Sequence, residues 1–142
     1  MNNERLGLTY ERIGKCLQNY APDQNAQIFL YAEAQPGVMG EGAYQNRGGD
    51  IVYIECGADL GDLLFTAWEE EEPNSRWSTL EFVVKDGRFT TSVGYDKFNE
   101  IDPVREHEAL RRHFGDKPIF YPGPSFEERY EALNPANFPS DS

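Results

Sequence analysis

Long apolar runs are missing from this sequence, and so are most of the residues that carry chemistry. No stretch approaches the roughly 18 consecutive apolar residues of a membrane-spanning helix. The opening MNNERLGLTYERIGK is charged throughout and lacks the apolar core, about 7–15 residues long, that a secretory signal needs. Cysteine occurs only at Cys16 and Cys56, which is neither a metal-ligand spacing nor a disulfide framework. A reducing cytoplasm is therefore the expected setting, with both thiols read as small buried hydrophobes. Histidine occurs only at His107 and His113. A zinc-protease helix needs histidines four apart on one face, and the residue four after His107 is Arg111. His107 and His113 diverge by roughly 240° around a helix and read as structural.

Positive charge is also scarce. Against 25 Asp and Glu stand 13 Lys and Arg, a formal net charge of -12. Such a field repels nucleic acid and anionic lipid, so neither is an expected partner, and a basic protein is the natural complement. The chain is nonetheless 39% hydrophobic and 13% aromatic over 142 residues, enough to bury a core in one domain without staples. That domain is expected over residues 1–134, with the polar, proline-bearing 135–142 as a frayed tail.

Leu6, Tyr10, Ile13, Leu17 and Tyr20 recur at helical spacing, and Pro22 must end the helix they mark. Residues 28–34 and 38–44 read as strands joined by a Pro36-Gly37 turn, and 51–56 as a third strand after the turn cluster QNRGGD. Leu60, Leu63, Leu64, Ala67 and Trp68 mark a second helix, with Asp59 as its expected cap. In TLEFVVKDGRFTTSVGY the Asp86-Gly87 pair predicts a tight hairpin that sets Val84 opposite Phe89, Phe82 opposite Thr91 and Leu80 opposite Val93. Asp102-Pro103 and Gly115 bracket a third helix. The order α-β-β-β-α-β-β-α predicts an α+β fold, with an antiparallel sheet of about five strands and the helices packed on one face. Segments 51–56 and 80–84 are its expected central strands.

Motifs for catalysis fail one by one. The glycines of GVMGEG (Gly37, Gly40, Gly42) lie between strands instead of opening a helix, so they predict a turn and a kinked or bulged edge strand, not a dinucleotide loop. DKFNEIDP departs from an EF-hand loop from Lys97 onward. No nucleophile elbow surrounds Ser75, Ser78, Ser92 or Ser125. Trp68, Trp77, Phe82 and Phe89 read as core. The prolines at 118, 122 and 124 hold Ile119, Phe120, Tyr121 and Phe126 extended, as a strap over the core or, second, as aromatic contacts for a partner. The expectation is a non-enzyme with no catalytic residues, no metal and no cofactor.

IFLYAEA on the first strand, LGDLLFTAWEEEEPNSRWSTLEFVVKDGRFTTSVGYDKF and REHEALRRHFGDKP together resemble the YezG-like family of bacterial antitoxin or immunity proteins. The resemblance spans about three quarters of the chain in element order. Its main features are the strand entered at Trp77, the Asp-Gly hairpin and the Tyr95-Asp96 pair. It implies a cytoplasmic protein that binds and neutralises a cognate secreted polymorphic toxin, often one with a nuclease-type tail. Two other classes stay open: a small-ligand-binding domain using aromatics on the sheet, and a self-associating structural protein. A homodimer is compatible with each.

The run Glu69, Glu70, Glu71, Glu72 follows an apolar helical pattern and precedes Pro73. At a helix C-terminus each anion opposes the macrodipole by about 0.3–1 kcal/mol, so stability alone does not select it. Either the helix ends before Glu69, or the run is a solvated surface near Arg76, or it serves a partner. In the third case these glutamates, with Asp96, Glu100 and Asp102, present a phosphate-like row to a toxin's basic active-site groove.

Overall fold

The computed structural model describes residues 3–98 and 100–121. Along them run α1 (Asn3–Tyr20), β1 (Ile28–Gln35), β2 (Val38–Asn46), β3 (Ile51–Ile54), α2 (Gly57–Glu70), a 3-10 turn (Pro73–Ser75), β4 (Thr79–Lys85), β5 (Arg88–Gly94), α3 (Pro103–Phe114) and β6 (Ile119–Phe120). The class is α+β in the expected order, with a sixth strand added. The sheet runs β5-β4-β1-β2-β3-β6. Neighbouring strands are antiparallel apart from β3 and β6, which pair in parallel. β6 begins where the Pro118 carbonyl accepts from the Ile51 amide at 2.9 Å. It belongs to the segment read as a strap. Pro122, Pro124, Phe126 and the tail 135–142 lie outside the described residues.

The helices do not share one face. Along β1, Ile28, Leu30, Ala32 and Ala34 pack with α1 and α2, where Ile13, Leu17, Leu64, Trp68, Trp77, Leu80 and Phe82 complete an apolar core. The alternate residues Phe29 and Tyr31 pack with Tyr44, Ile51 and the α3 residues Ala109, Leu110 and Phe114. Every residue from Ile28 to Ala34 is buried, so this strand needs cover on both sides, as strands with two apolar faces do. With β2 it forms the centre of the sheet. β3 and β4, expected there, each lie one strand from an edge.

The hairpin forms in the expected register, with Lys85 opposite Arg88. Asp86 and Gly87 have φ of 53° and 76°, the positive pair that a type I′ turn requires. Asp102 caps α3 by accepting from the Val104 amide at 2.9 Å, and Gly115 ends the helix. Asp59 does not cap α2. That helix starts at Gly57 with Cys56 as a cap residue whose side chain makes no capping bond, and Asp59 accepts instead from the Tyr20 hydroxyl at 3.1 Å. The glycines of β2 do not form a bulge either, because Gly40 and Gly42 pair with Glu33 and Tyr31 of β1 in unbroken register, while only residues 43–46 also pair with β3. A β-carbon at Gly40 would stand 2.7 Å from Ile101 Cγ2, and one at Gly42 would collide with the Glu106 carboxylate. Both keep the strand bare where α3 and its leading loop approach.

Candidate functional site

α2 is fixed by Leu60, Leu64, Ala67 and Trp68, all buried on one side of the helix. It continues through Glu70, and Glu71 is its C-cap residue. The helix therefore does not stop before Glu69, and its last turn holds no basic residue. The unfavourable dipole stands for this run.

The four carboxylates then part ways. Glu70 turns inward, accepting from the Thr9 hydroxyl of α1 at 2.5 Å and lying 3.8 Å from Arg5 Nε. Glu71 is half-buried, and burial raises its carboxyl above the usual range. Glu69 and Glu72 are exposed. Arg76 folds back on this end, donating to the Glu69 carbonyl at 3.0 Å with its guanidinium 4.8 Å from the Trp68 ring. It satisfies an orphan helix carbonyl, the usual service of a cation at this position.

Beside the run lies a groove of about 570 Å³ between the end of α2, the β1–β2 turn and the segment after β5. Trp68, Arg76, Trp77, Tyr95, Lys97 and Phe98 line it. The far wall is pinned where Gln35 Nε2 donates to the Phe98 carbonyl at 2.7 Å and Arg105 sits 4.0 Å over the Phe98 ring. Asp96, between Tyr95 and Lys97, is exposed, and Pro73, next to Glu72, is itself part of the lining. Glu72 and Asp96 are thus sequence neighbours of lining residues, while the charged side chains of the lining itself are Arg76 and Lys97. Glu100 is exposed, and its carbonyl accepts from Arg105 at 2.5 Å. Asp102 is engaged as the α3 cap and lies 3.9 Å from Arg105.

The α3 side holds polar groups that sequence reasoning did not single out. Glu33, only 1% exposed, accepts from Arg105 at 2.9 and 3.0 Å, from the Tyr31 hydroxyl at 2.5 Å and from the Asp102 amide at 3.1 Å. Burial pushes its carboxyl up, and these donors outweigh burial and leave it lowered. Glu106 goes the other way. Burial holds it raised although the Tyr44 hydroxyl donates to it, and the Glu33 charge adds to the rise. Glu33 and Arg105 are far apart in sequence, and no spacing could have joined them.

His113 stacks on Phe29 with ring centroids 4.5 Å apart, whereas His107 is exposed. Burial pushes the Cys56 thiol up to about 12, which leaves it a poor nucleophile. Among the described residues no group of His, Cys, Asp and Glu is placed to hold a metal ion, and no helix is long and apolar enough to cross a membrane. The chain matches no family model and no curated protein.

Proposed function

We propose that this protein is an immunity (antitoxin) protein that works in the cytoplasm by binding a cognate secreted polymorphic toxin, with no chemistry of its own. The observation that carries this reading is the acidic end of α2 beside an aromatic groove. Glu69 and Glu72 stay exposed at a helix terminus that disfavours them, and the adjoining groove offers exposed Tyr95 and half-buried Phe98 to a partner. Aromatic anchors inside a polar, charged rim are the usual anatomy of a protein interface. Glu69, Glu72 and Asp96 would steer a basic toxin groove to the surface, and the aromatics would hold it once docked. The resemblance to YezG-like proteins points the same way.

The test begins with the neighbouring reading frame, where a large secreted protein with a variable C-terminal domain is expected. Expressing that domain alone should arrest growth, and co-expressing this chain should restore it. Replacing Glu69, Glu71 and Glu72 with glutamine should slow association roughly tenfold at low salt and flatten its salt dependence. No rescue, or wild-type kinetics across the salt series, would overturn the reading.

A second reading has the groove hold a small anionic ligand, since Arg76 and Lys97 both line it. Native mass spectrometry of the purified protein separates the two, because only this reading expects retained small-molecule mass.

A further inference from the structure

The two edges of the sheet are treated differently. β6, at one edge, is two residues long, preceded by Lys117-Pro118, with Pro122 shortly after it in sequence. Lysine, proline and brevity are the devices that stop edge strands from pairing with other chains. β5, at the other edge, is seven residues long. From Phe89 to Tyr95 it reads FTTSVGY, with no charge and no proline in a chain that is 27% charged. Thr90, Thr91, Ser92, Val93 and Tyr95 are exposed.

The register shows which backbone groups this edge offers. A two-residue hairpin closes on a hydrogen-bonded pair, here Lys85 and Arg88, and bonded pairs then alternate along the strands. Arg88, Thr90, Ser92 and Gly94 thus point their backbone groups at β4, while Phe89, Thr91 and Val93 turn theirs outward. No bulge interrupts this row.

We infer that β5 is a self-association edge, pairing antiparallel with β5 of a second copy about a two-fold axis at Thr91. That register is self-complementary. Thr91 faces its own mate, and Phe89 faces the second copy's Val93, so every outward amide and carbonyl finds a partner. Phe89, Thr91 and Val93 share a face, which matches an aromatic with a β-branched residue and threonine with threonine, both favourable cross-strand pairs. The same register puts Arg88 opposite the second copy's Gly94 and diagonal to its Asp96, an opposite-charge neighbour where the rest of two chains of net charge -12 would repel. A second copy is thus the occupant this edge fits, and the sheet would continue across the dimer. The inference does not rest on toxin binding, although Asp96 figures in both.

The test uses light scattering after size exclusion, together with hydrogen exchange, on the full chain. The wild type is expected to be a dimer that dissociates on dilution, with the Phe89, Thr91 and Val93 amides protected only at high concentration. Thr91→Pro removes an outward N–H that the fold does not use, a substitution that edge strands accommodate. Val93→Lys places a charge on the same edge. Each should give a monomer, and an unchanged far-ultraviolet circular dichroism spectrum would show that the loss is not unfolding. A monomeric wild type up to its solubility limit, a dimer that survives both substitutions, or a dimer whose β5 amides exchange freely would overturn the inference.

Discussion

On the α1 and α2 side of the sheet the strands contribute Ile28, Leu30, Ala32, Leu80, Phe82 and Val84 to a core in which dispersion and burial dominate. On the α3 side the same strands contribute Tyr31 and Glu33, and neighbouring β2 contributes Tyr44, beside Phe29 and Ile51. The first face is held mainly by contacts without direction, with the Trp68 indole donating to the Trp77 carbonyl at 2.8 Å as a buried polar tie. The second depends on placed hydrogen bonds and on two carboxyls whose ionisation is shifted in opposite directions. A helix can be tied to a sheet by either means. Only the second ties it in one orientation, since the Glu33–Arg105 fork and the Asp102 amide fix the start of α3 over β1.

Breaking that fork should produce the largest effect. Arg105→Ala leaves Glu33 buried without its cation, a change that costs about 3–5 kcal/mol, with the lower end expected because Arg105 is one-third exposed. The sign of the pH dependence identifies the cause. A lowered carboxyl contributes stability that is present above its unfolded pKa and lost as pH falls through its folded pKa. Urea unfolding should therefore show the deficit of Arg105→Ala at neutral pH and a narrowing gap from the wild type as pH falls through and below the ordinary carboxylate range. A constant gap would assign the loss to packing on Phe98 and not to Glu33.

Glu106→Gln tests the opposite shift and should have a smaller effect. Glutamine keeps an acceptor for the Tyr44 hydroxyl and removes a charge that burial disfavours. A raised carboxyl contributes stability that is present below its unfolded pKa and lost as pH rises through its folded pKa. The variant should be more stable than the wild type at neutral pH, and the two unfolding curves should converge on acidification through the upper carboxylate range. Divergence on acidification would show that Tyr44 needs the ionised partner.

How far each face can be read from sequence follows from the same contrast. The apolar face announces itself by period: the α1 stripe, the α2 stripe and the hairpin set by Asp86-Gly87 all form as expected, because each is fixed by local chemistry. The α3 face is nonlocal. IFLYAEA carried the signal, since the large rings of Phe29 and Tyr31 must be covered as Leu30 and Ala32 are, yet its lone Glu33 could not name Arg105. Gly40 and Gly42 resemble turn glycines until the helix that crowds them is in place. β6 is too short to have a period. At the candidate site the acidic run is visible in sequence, but Trp68 and Trp77 look like core alone, and only the fold shows that they also line a groove with Tyr95 and Phe98.

The smallest expected effect lies on the rim of the apolar face. There the fold splits a run that the sequence presents as uniform. Glu70 serves α1 through Thr9 and Arg5, so Glu70→Gln weakens a charge-assisted bond and should cost about 0.5–1.5 kcal/mol. Glu69, Glu71 and Glu72 lie in the last turn of α2 or just beyond it, where the helix end is already negative and like charges stand side by side. Replacing these three with glutamine should raise stability by up to about 1 kcal/mol, measured by thermal unfolding at neutral pH and low salt. Because exposed charges are screened, added salt should stabilise the wild type more than the triple variant and bring the two melting temperatures together. A triple variant less stable than the wild type would mean that these carboxylates hold the fold. A more stable one means that they are kept at a cost, as expected of residues retained for an encounter with a basic partner.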